Sequence, residues 1–311
     1  LKYQKRAEVV ALCDLDIELC RKKAEKFEFD TADIYSDYDK MLAEADIDAV
    51  IVSTNDQSHC ELSVKALRAG KHVLCEKPMA SNAKEVRQMI EASNRYGVAL
   101  MEAMKSTLSP NFIAVRDNLG RIGKPRRYFA SFCQYSSRYD KFKEGIVLNA
   151  FKPELSNGAM MDIGVYTIYP LVTLFGKPNS INAQGIVLSS GADGQGAVNM
   201  EYDGMNATVL YSKIANSHLP AEIEGEEGNI HIDRIQTPVD IRFYPRQAPA
   251  SGHEKRVEGE NISSHDTHNE YYHEVKEFID LICEGRIESH INSHEASITT
   301  LEIIDEVRRQ L

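Results

Sequence analysis

Four short apolar runs punctuate the first third of the chain: Val9–Cys13, Ala49–Ser53, His72–Cys75 and Ala99–Met101. Between them lie polar stretches with helical spacing. Leu19, Cys20, Ala24 and Phe27 fall on one face of the segment from Ile17 to Phe27. Leu62, Ala66 and Ala69 form a second stripe, closed by Gly70. Val86, Met89, Ile90 and Ser93 form a third, closed by Gly97. A glycine just past a helical stripe is a C-terminal stop. Strand, helix and strand at this pace predict right-handed βαβ crossovers and an α/β fold with a doubly wound parallel sheet.

The rhythm changes after about residue 120. Arg127–Gln134 reads as a strand and Asp162–Phe175 as a helix stopped by Gly176 and Pro178. Strand patterns follow near 181–189, 196–202, 205–213, 219–224, 229–233 and 239–244, with turn residues such as Asp203-Gly204 between them. Strands in succession with short turns predict a large antiparallel sheet. Residues 246–268 read as a polar, histidine-bearing loop, and Asn269–Glu284 and His294–Arg309 as closing helices. The expected organisation is a parallel α/β domain over 1–105 and an α+β domain over 106–311.

Composition narrows the class. The chain has 311 residues, 42% of them hydrophobic and 27% charged, the make-up of a globular protein with a full core. Lys plus Arg number 36 and Asp plus Glu 47, for a net charge of −11, which argues against a nucleic-acid partner. The basic stretch Arg21–Lys26 accordingly reads as the solvated face of a helix. No run reaches the roughly 18 consecutive apolar residues of a membrane span, so no membrane partner is expected. The six cysteines lack CxxC spacing and read as reduced thiols, which predicts a cytoplasmic protein.

The start of the chain is unusual for a doubly wound sheet. Such a sheet carries a glycine loop after its first strand, yet no glycine occurs from Leu1 through Phe29. Val9–Cys13 ends instead in Asp14, the type of residue with which a second strand grips the adenosine ribose. The expectation is therefore that roughly 20–30 residues bearing strand one and the glycine loop precede Leu1.

Two constellations carry chemistry. Glu76-Lys77-Pro78 follows the buried run His72–Cys75, at the strand end where open α/β sheets bind ligands. A partly desolvated Lys77 there can trade a proton with a substrate hydroxyl, and the proline can fix its direction through a cis or sharply turned bond. On the tripeptide alone, a solvated lysine in a strand-to-helix turn fits as well. The second constellation is Asn157 through Tyr166, a glycine-bearing loop feeding a helix, with Asp162 and Tyr166 at i and i+4 on one face. Aimed at Lys77, the pair would make an acid/base relay. Alone, it fits a helix cap and a packed aromatic equally well.

Taken together, the segments Val10–Asp14, Ser53–His59, Gly70–Pro78 and Gly158–Tyr166 resemble the glucose–fructose oxidoreductase, inositol dehydrogenase and rhizopine-catabolism (Gfo/Idh/MocA) family in order and spacing. The resemblance covers essentially the whole chain and implies a Rossmann domain followed by the family's second domain. It implies that Lys77 is the catalytic lysine, that Glu76 seats the nicotinamide ribose, and that Ser53, Thr54, Asn55 and His59 lie along the cofactor. Asp14 matches the acidic ribose ligand, which favours NAD over NADP by repelling a 2′-phosphate. Asp162 and Tyr166 match the family's Asp-x-x-x-His/Tyr pair. Tyr166 stands where many members carry histidine, and Asn157 departs from their run of glycines, which leaves the loop's shape open.

The implied activity is NAD(P)-dependent hydride transfer at a secondary alcohol or ketone of a sugar, polyol or cyclic diol. A cofactor-sensing regulator without turnover and an NAD-dependent glycosidase are the alternatives within the same fold. Lys105, Tyr135, Arg138, Asn149 and Phe151 flank the expected cleft. His265, His268, His273, His290 and His294 read as solvated or structural, and no metal is expected. An open apolar face on the antiparallel sheet predicts a homodimer or homotetramer.

Overall fold

In the computed structural model, which describes residues 5–246 and 258–311, the apolar runs become strands and the striped segments become helices. The first part comprises β1 (Ala11–Cys13), α1 (Ile17–Phe27), β2 (Asp33–Tyr35), α2 (Tyr38–Glu44), β3 (Ala49–Val52), α3 (Asp56–Arg68), β4 (His72–Glu76), α4 (Ala83–Tyr96) and β5 (Leu100–Ala103). Helix starts are capped as their sequences demand. Asp16 accepts from Leu19 N at the head of α1, and Asn82 from Glu85 N at the head of α4. Gly97 ends α4 in the left-handed region at φ +65°. The short β2 and α2 were not anticipated, since Asp33–Tyr35 offers only three residues of pattern.

The parallel strands form two ladders, β1–β2 and β3–β4–β5. The described residues place no strand between β1 and β3, and Ile51 of β3 is 42% exposed. The glycine loop expected ahead of Leu1 is not among the described residues. The opposite flank is closed, with Val73, Leu74 and Cys75 buried between α3, α4 and the C-terminal helices.

Short helices α5 (Lys105–Leu108) and α6 (Pro110–Asn118) lead into β6 (Pro125–Cys133), followed by α7 (Tyr139–Lys143) and α8 (Val165–Phe175). The chain continues through β7 (Ser180–Val187), β8 (Asp193–Tyr202), β9 (Met205–Ser212), β10 (Ala221–Gly225), β11 (Gly228–Ile232), β12 (Ile241–Pro245) and β13 (Glu260–Asn261) to α9 (Tyr272–Glu284) and α10 (His294–Gln310). β6 to β13 make one eight-stranded sheet in the order β13-β12-β11-β10-β6-β9-β8-β7. The sheet is antiparallel as expected at every pairing but one: β6 and β9 run parallel, from Arg127↔Asn206 to Cys133↔Ser212. The connection between them includes α8 and two strands, long enough for a parallel crossover.

The sheet's inner face packs on α8 through Tyr128, Ala130, Val209 and Tyr211. Its outer face is not the open apolar surface expected, because Phe129 and Leu210 alternate there with Arg127, Asn199, Thr208 and Glu222. Part of the expected 246–268 loop, residues 247–257, lies outside the described residues. The remainder forms β13 and a turn in which His268 and His273 close on Asp266, so these two histidines are not simply solvated.

The predicted helix at Asp162–Phe175 begins differently from its pattern. Met160–Gly164 is a π-helical turn, and the α-helix starts at Val165. Asp193 reaches across from β8 to accept from Met160 N at 2.7 Å. A Cβ at Gly158 would lie 2.0 Å from the same carboxylate, so the glycine makes room for this cap. The segment Pro153–Phe175 has the length and mean hydropathy of a membrane span, but it holds no long unbroken apolar run and most of it is buried inside the protein.

The chain's last segment returns to the first domain. Leu100 N donates to Ile287 O at 3.0 Å, and His294 Nε2 lies 3.0 Å from Leu100 O. Asn292 Nδ2 donates to the carbonyls of Glu102 and Met104. α10 then packs on both α4 and α8.

Candidate active site

The turn after β4 is gripped from several sides. The Lys77–Pro78 peptide bond is cis. Met79 N donates to Glu102 Oε1 at 3.0 Å, and Ser297 donates to the other carboxylate oxygen at 2.5 Å. Burial pushes the Glu102 carboxyl up to about 7, opposed by these two donors. His59 Nδ1 lies 2.9 Å from Pro78 O and its Nε2 3.2 Å from Thr54 O. These contacts leave Lys77 with little choice of direction.

Lys77 Nζ donates to the Asp162 carbonyl at 2.7 Å and lies 3.4 Å from its Oδ1. It also stands 4.9 Å from the centre of the Tyr166 ring, so Lys77, Asp162 and Tyr166 come together despite the π turn. A second lysine completes the group. Lys213, 3% exposed at the end of β9, bonds Asp162 Oδ2 and lies 3.5 Å from Ala150 O. Burial raises the Asp162 pKa, but the charges of Lys77 and Lys213 outweigh it and hold the carboxyl below its ordinary value. Asp162 is thus an ionised acceptor clamped by two cations.

Tyr166 is the opposite case. Burial, with Glu76, Tyr271, Glu274 and Asp162 around it, pushes its phenol well up. Phe132 meets its ring edge-on at 5.7 Å. The group therefore stays a neutral hydrogen-bond donor. Asp56, at the first turn of α3, also belongs to this electrostatic cluster. Burial pushes its carboxyl up to about 7, Lys77 opposes the shift and Asp162 adds to it.

The expected cofactor residues divide into two groups. Asp14 ends the β1 run with an exposed carboxylate, whose Oδ1 accepts from Asp16 N at 2.9 Å. Ser53, Thr54 and Asn55 lie exposed where β3 ends and α3 begins, and Asn55 makes no side-chain cap there. Glu76 is half-buried beside Lys77. Carboxylates, hydroxyls and an uncapped helix start at strand ends suit the hydroxyls and polar groups of a dinucleotide. His59 differs: it is buried, and both ring nitrogens face protein carbonyls, so its role here is to tie two turns together.

Of the flanking residues, Lys105 pairs with Glu270 at 2.6 Å and stands 4.6 Å from the Tyr271 ring centre, at the mouth of α9. Phe151 is buried 5.3 Å from Lys213 Nζ. Tyr135 donates to Asp140 on the surface. Lys213, Asp56 and Glu102 were not anticipated from the sequence.

Comparison with known proteins bears on the family. Residues 1–104 match the model for the oxidoreductase family with an NAD-binding Rossmann fold, and residues 118–231 match the GFO/IDH/MocA C-terminal domain. The chain is 48% identical over 282 residues to scyllo-inositol 2-dehydrogenase (NADP(+)) IolU of Bacillus subtilis, covering 90% of this chain and 83% of that protein. It is 29% identical to trans-1,2-dihydrobenzene-1,2-diol dehydrogenase of Danio rerio, over 98% and 89% of the two chains. The fold matches the 3-ketoreductase KijD10 of Actinomadura kijaniata with a TM-score of 0.82 at 23% identity, over 100% and 91% of the chains. With both domains matched and close kinship to a named dehydrogenase, this chain belongs to the Gfo/Idh/MocA oxidoreductase family and is a dehydrogenase acting on alcohol groups.

Proposed function

We propose that this dehydrogenase interconverts a secondary alcohol and its ketone on a polyol ring of the inositol type, with Lys77 moving the hydroxyl proton. The observation that carries the reading is the Lys77 ammonium, fixed 2.7 Å from the Asp162 carbonyl and over the Tyr166 ring, at the carboxyl end of β4. The 48% identity to an enzyme named for scyllo-inositol supports the substrate class.

A nicotinamide dinucleotide supplies the hydride acceptor or donor when bound. Asp14, Ser53, Thr54, Asn55 and Glu76 are the residues here that would hold it. In the reducing direction the Lys77 ammonium gives a proton to the carbonyl oxygen. In the oxidising direction the free amine takes the proton from the hydroxyl. Tyr166 donates a hydrogen bond to the same oxygen and stabilises its developing charge. Asp162 holds Lys77 in line. The Asp14 carboxylate, with Asp16 and Glu18 close behind it in the chain, repels a 2′-phosphate, and on this ground we assign NAD as the preferred cofactor. The relative's name carries NADP(+), so cofactor choice is the first point to measure.

All six cysteines are free thiols, which suits a cytoplasmic setting. We also propose a homodimer or homotetramer across the sheet's outer face, where Phe129 and Leu210 are partly exposed among polar side chains, and light scattering that gives a monomer mass overturns it.

The test of function follows absorbance at 340 nm with NAD and NADP over inositols, aldoses and cyclic diols, using full-length protein. Turnover of an inositol supports the reading. Turnover confined to aldoses or to cyclic diols overturns the substrate class.

A further inference from the structure

On the segment that borders the cleft, the fold gathers three metal-ligating side chains that neither the family match nor the proposed chemistry uses. Asp266 and His268 lie in the turn between β13 and α9, and His273 lies in the first turn of α9. The Asp266 carboxylate sits between the two imidazoles: Oδ1 is 2.5 Å from His268 Nδ1 and Oδ2 is 2.6 Å from His273 Nε2. All the donor atoms lie within 4.8 Å of one another. The His268 ring stacks on Tyr272 at 4.0 Å with 18° between the planes, which fixes its tilt. The side chains of Asp266 and His273 are about one-fifth exposed and that of His268 half exposed, so the group is backed by protein and reached by solvent.

We propose that Asp266, His268 and His273 form a binding site for a divalent transition-metal ion of the zinc type. Two imidazole nitrogens and one carboxylate oxygen are a borderline donor set that suits zinc, cobalt or nickel and discriminates against calcium and magnesium, which take oxygen ligands. Zinc needs nitrogen and oxygen donors at about 2.0–2.2 Å. To admit an ion the carboxylate turns aside, opening its contacts of 2.5 and 2.6 Å with the two imidazoles so that all three donors face a common point. Water fills the remaining positions on the solvent side. The spacing Asp-x-His-x4-His matches no familiar metal signature, because the ligands converge only when the turn docks against the start of α9.

The site has a defined neighbour. The same turn carries Glu270, paired with Lys105 at 2.6 Å, and Tyr271, whose ring faces Lys105 and whose hydroxyl is among the groups acting on Tyr166. An ion at Asp266 therefore anchors the segment bordering the active-site cleft and takes no part in proton or hydride movement.

The test titrates full-length, chelator-treated protein with cobalt(II), reading its visible absorption bands, and then displaces cobalt with zinc. One equivalent per chain is expected. His268→Gln, His273→Gln and Asp266→Asn should each weaken binding by about tenfold or more. Added zinc should raise the thermal midpoint of the parent protein and leave that of each variant in place. Circular dichroism identifies any variant that fails to fold, and the exposed His268→Gln serves as the folded reference. No one-to-one binding, or binding equally tight in folded His268→Gln and Asp266→Asn, overturns the site and leaves a hydrogen-bonded trio.

Discussion

Lys213 and Lys77 hold the same carboxylate by different oxygens: Lys213 bonds Asp162 Oδ2, while Lys77 lies beside Oδ1 and donates to the main-chain carbonyl. The buried cation thus fixes the Asp162 side chain, and Asp162 in turn fixes Lys77. Removing Lys213 leaves the half-buried carboxylate with Lys77 as its one cationic partner. Lys213→Met should lower kcat by about tenfold to a hundredfold with little change in cofactor affinity, and destabilise the fold by about 1–3 kcal/mol. Adding Asp162→Asn should recover part of that stability and none of the activity. Thermal melts and steady-state kinetics on the single and double variants check both halves.

Lys77→Met removes the proposed proton carrier and keeps the side chain to within one atom of its length. Turnover should fall by about 10²–10⁴-fold, the span attributed to a positioned acid/base group. Cofactor titration by fluorescence should still saturate. A variant retaining more than a tenth of parent activity removes Lys77 from the proposed role.

Asp14 is the simplest handle on cofactor choice. Asp14→Ser should raise KM for NAD and lower KM for NADP, shifting the ratio of the two kcat/KM values by about tenfold toward NADP, near 1.4 kcal/mol. If the ratio stays fixed, Asp14 does not face the adenosine ribose.

Glu274, in the first turn of α9, has its carboxyl pushed up to about 8 by burial and then by Glu76, opposed by Lys105. Its Oε2 has no hydrogen-bond partner. Between the ordinary value of 4.5 and about 8 the folded protein holds this proton more tightly than the unfolded chain, so stability from this group falls as pH rises through that window. Glu274→Gln should remove the loss. At pH 8 the variant should be more stable than the parent, by on the order of 3 kcal/mol, and the gap should close near pH 4. Denaturant melts at several pH values read this directly.

The strands and the Lys77 turn were legible because burial writes itself into composition: short apolar runs, a closing glycine, a proline after the lysine. β2 was illegible because three residues, only one of them an aliphatic, carry no period. The π turn at Met160–Gly164 was hidden because it depends on Asp193 arriving from another strand. Lys213 left a faint signal. Met205, Ala207, Val209 and Tyr211 all point inward, and Lys213 continues their phase, which marks it as a lysine inside the protein. Only the resemblance of Ser53–His59 to the family places His59 along the cofactor; its burial and its approach to Pro78 O and Thr54 O depend on how α3 meets the Lys77 turn, which sequence pattern does not carry.

The return of the C-terminal segment to β5 bears on how the protein is made. Glu102 meets Ser297 across 195 residues, and Leu100 meets Ile287 and His294 across nearly as many. The carboxylate beneath the Lys77 turn therefore gains its serine only once α10 has been made. Until then the first half of the chain exposes the face that α10 covers, and Lys77 stands on an unfinished support. A product that stopped short of α10 would carry the Lys77 turn without the Ser297 hydrogen bond that steadies Glu102 beneath it.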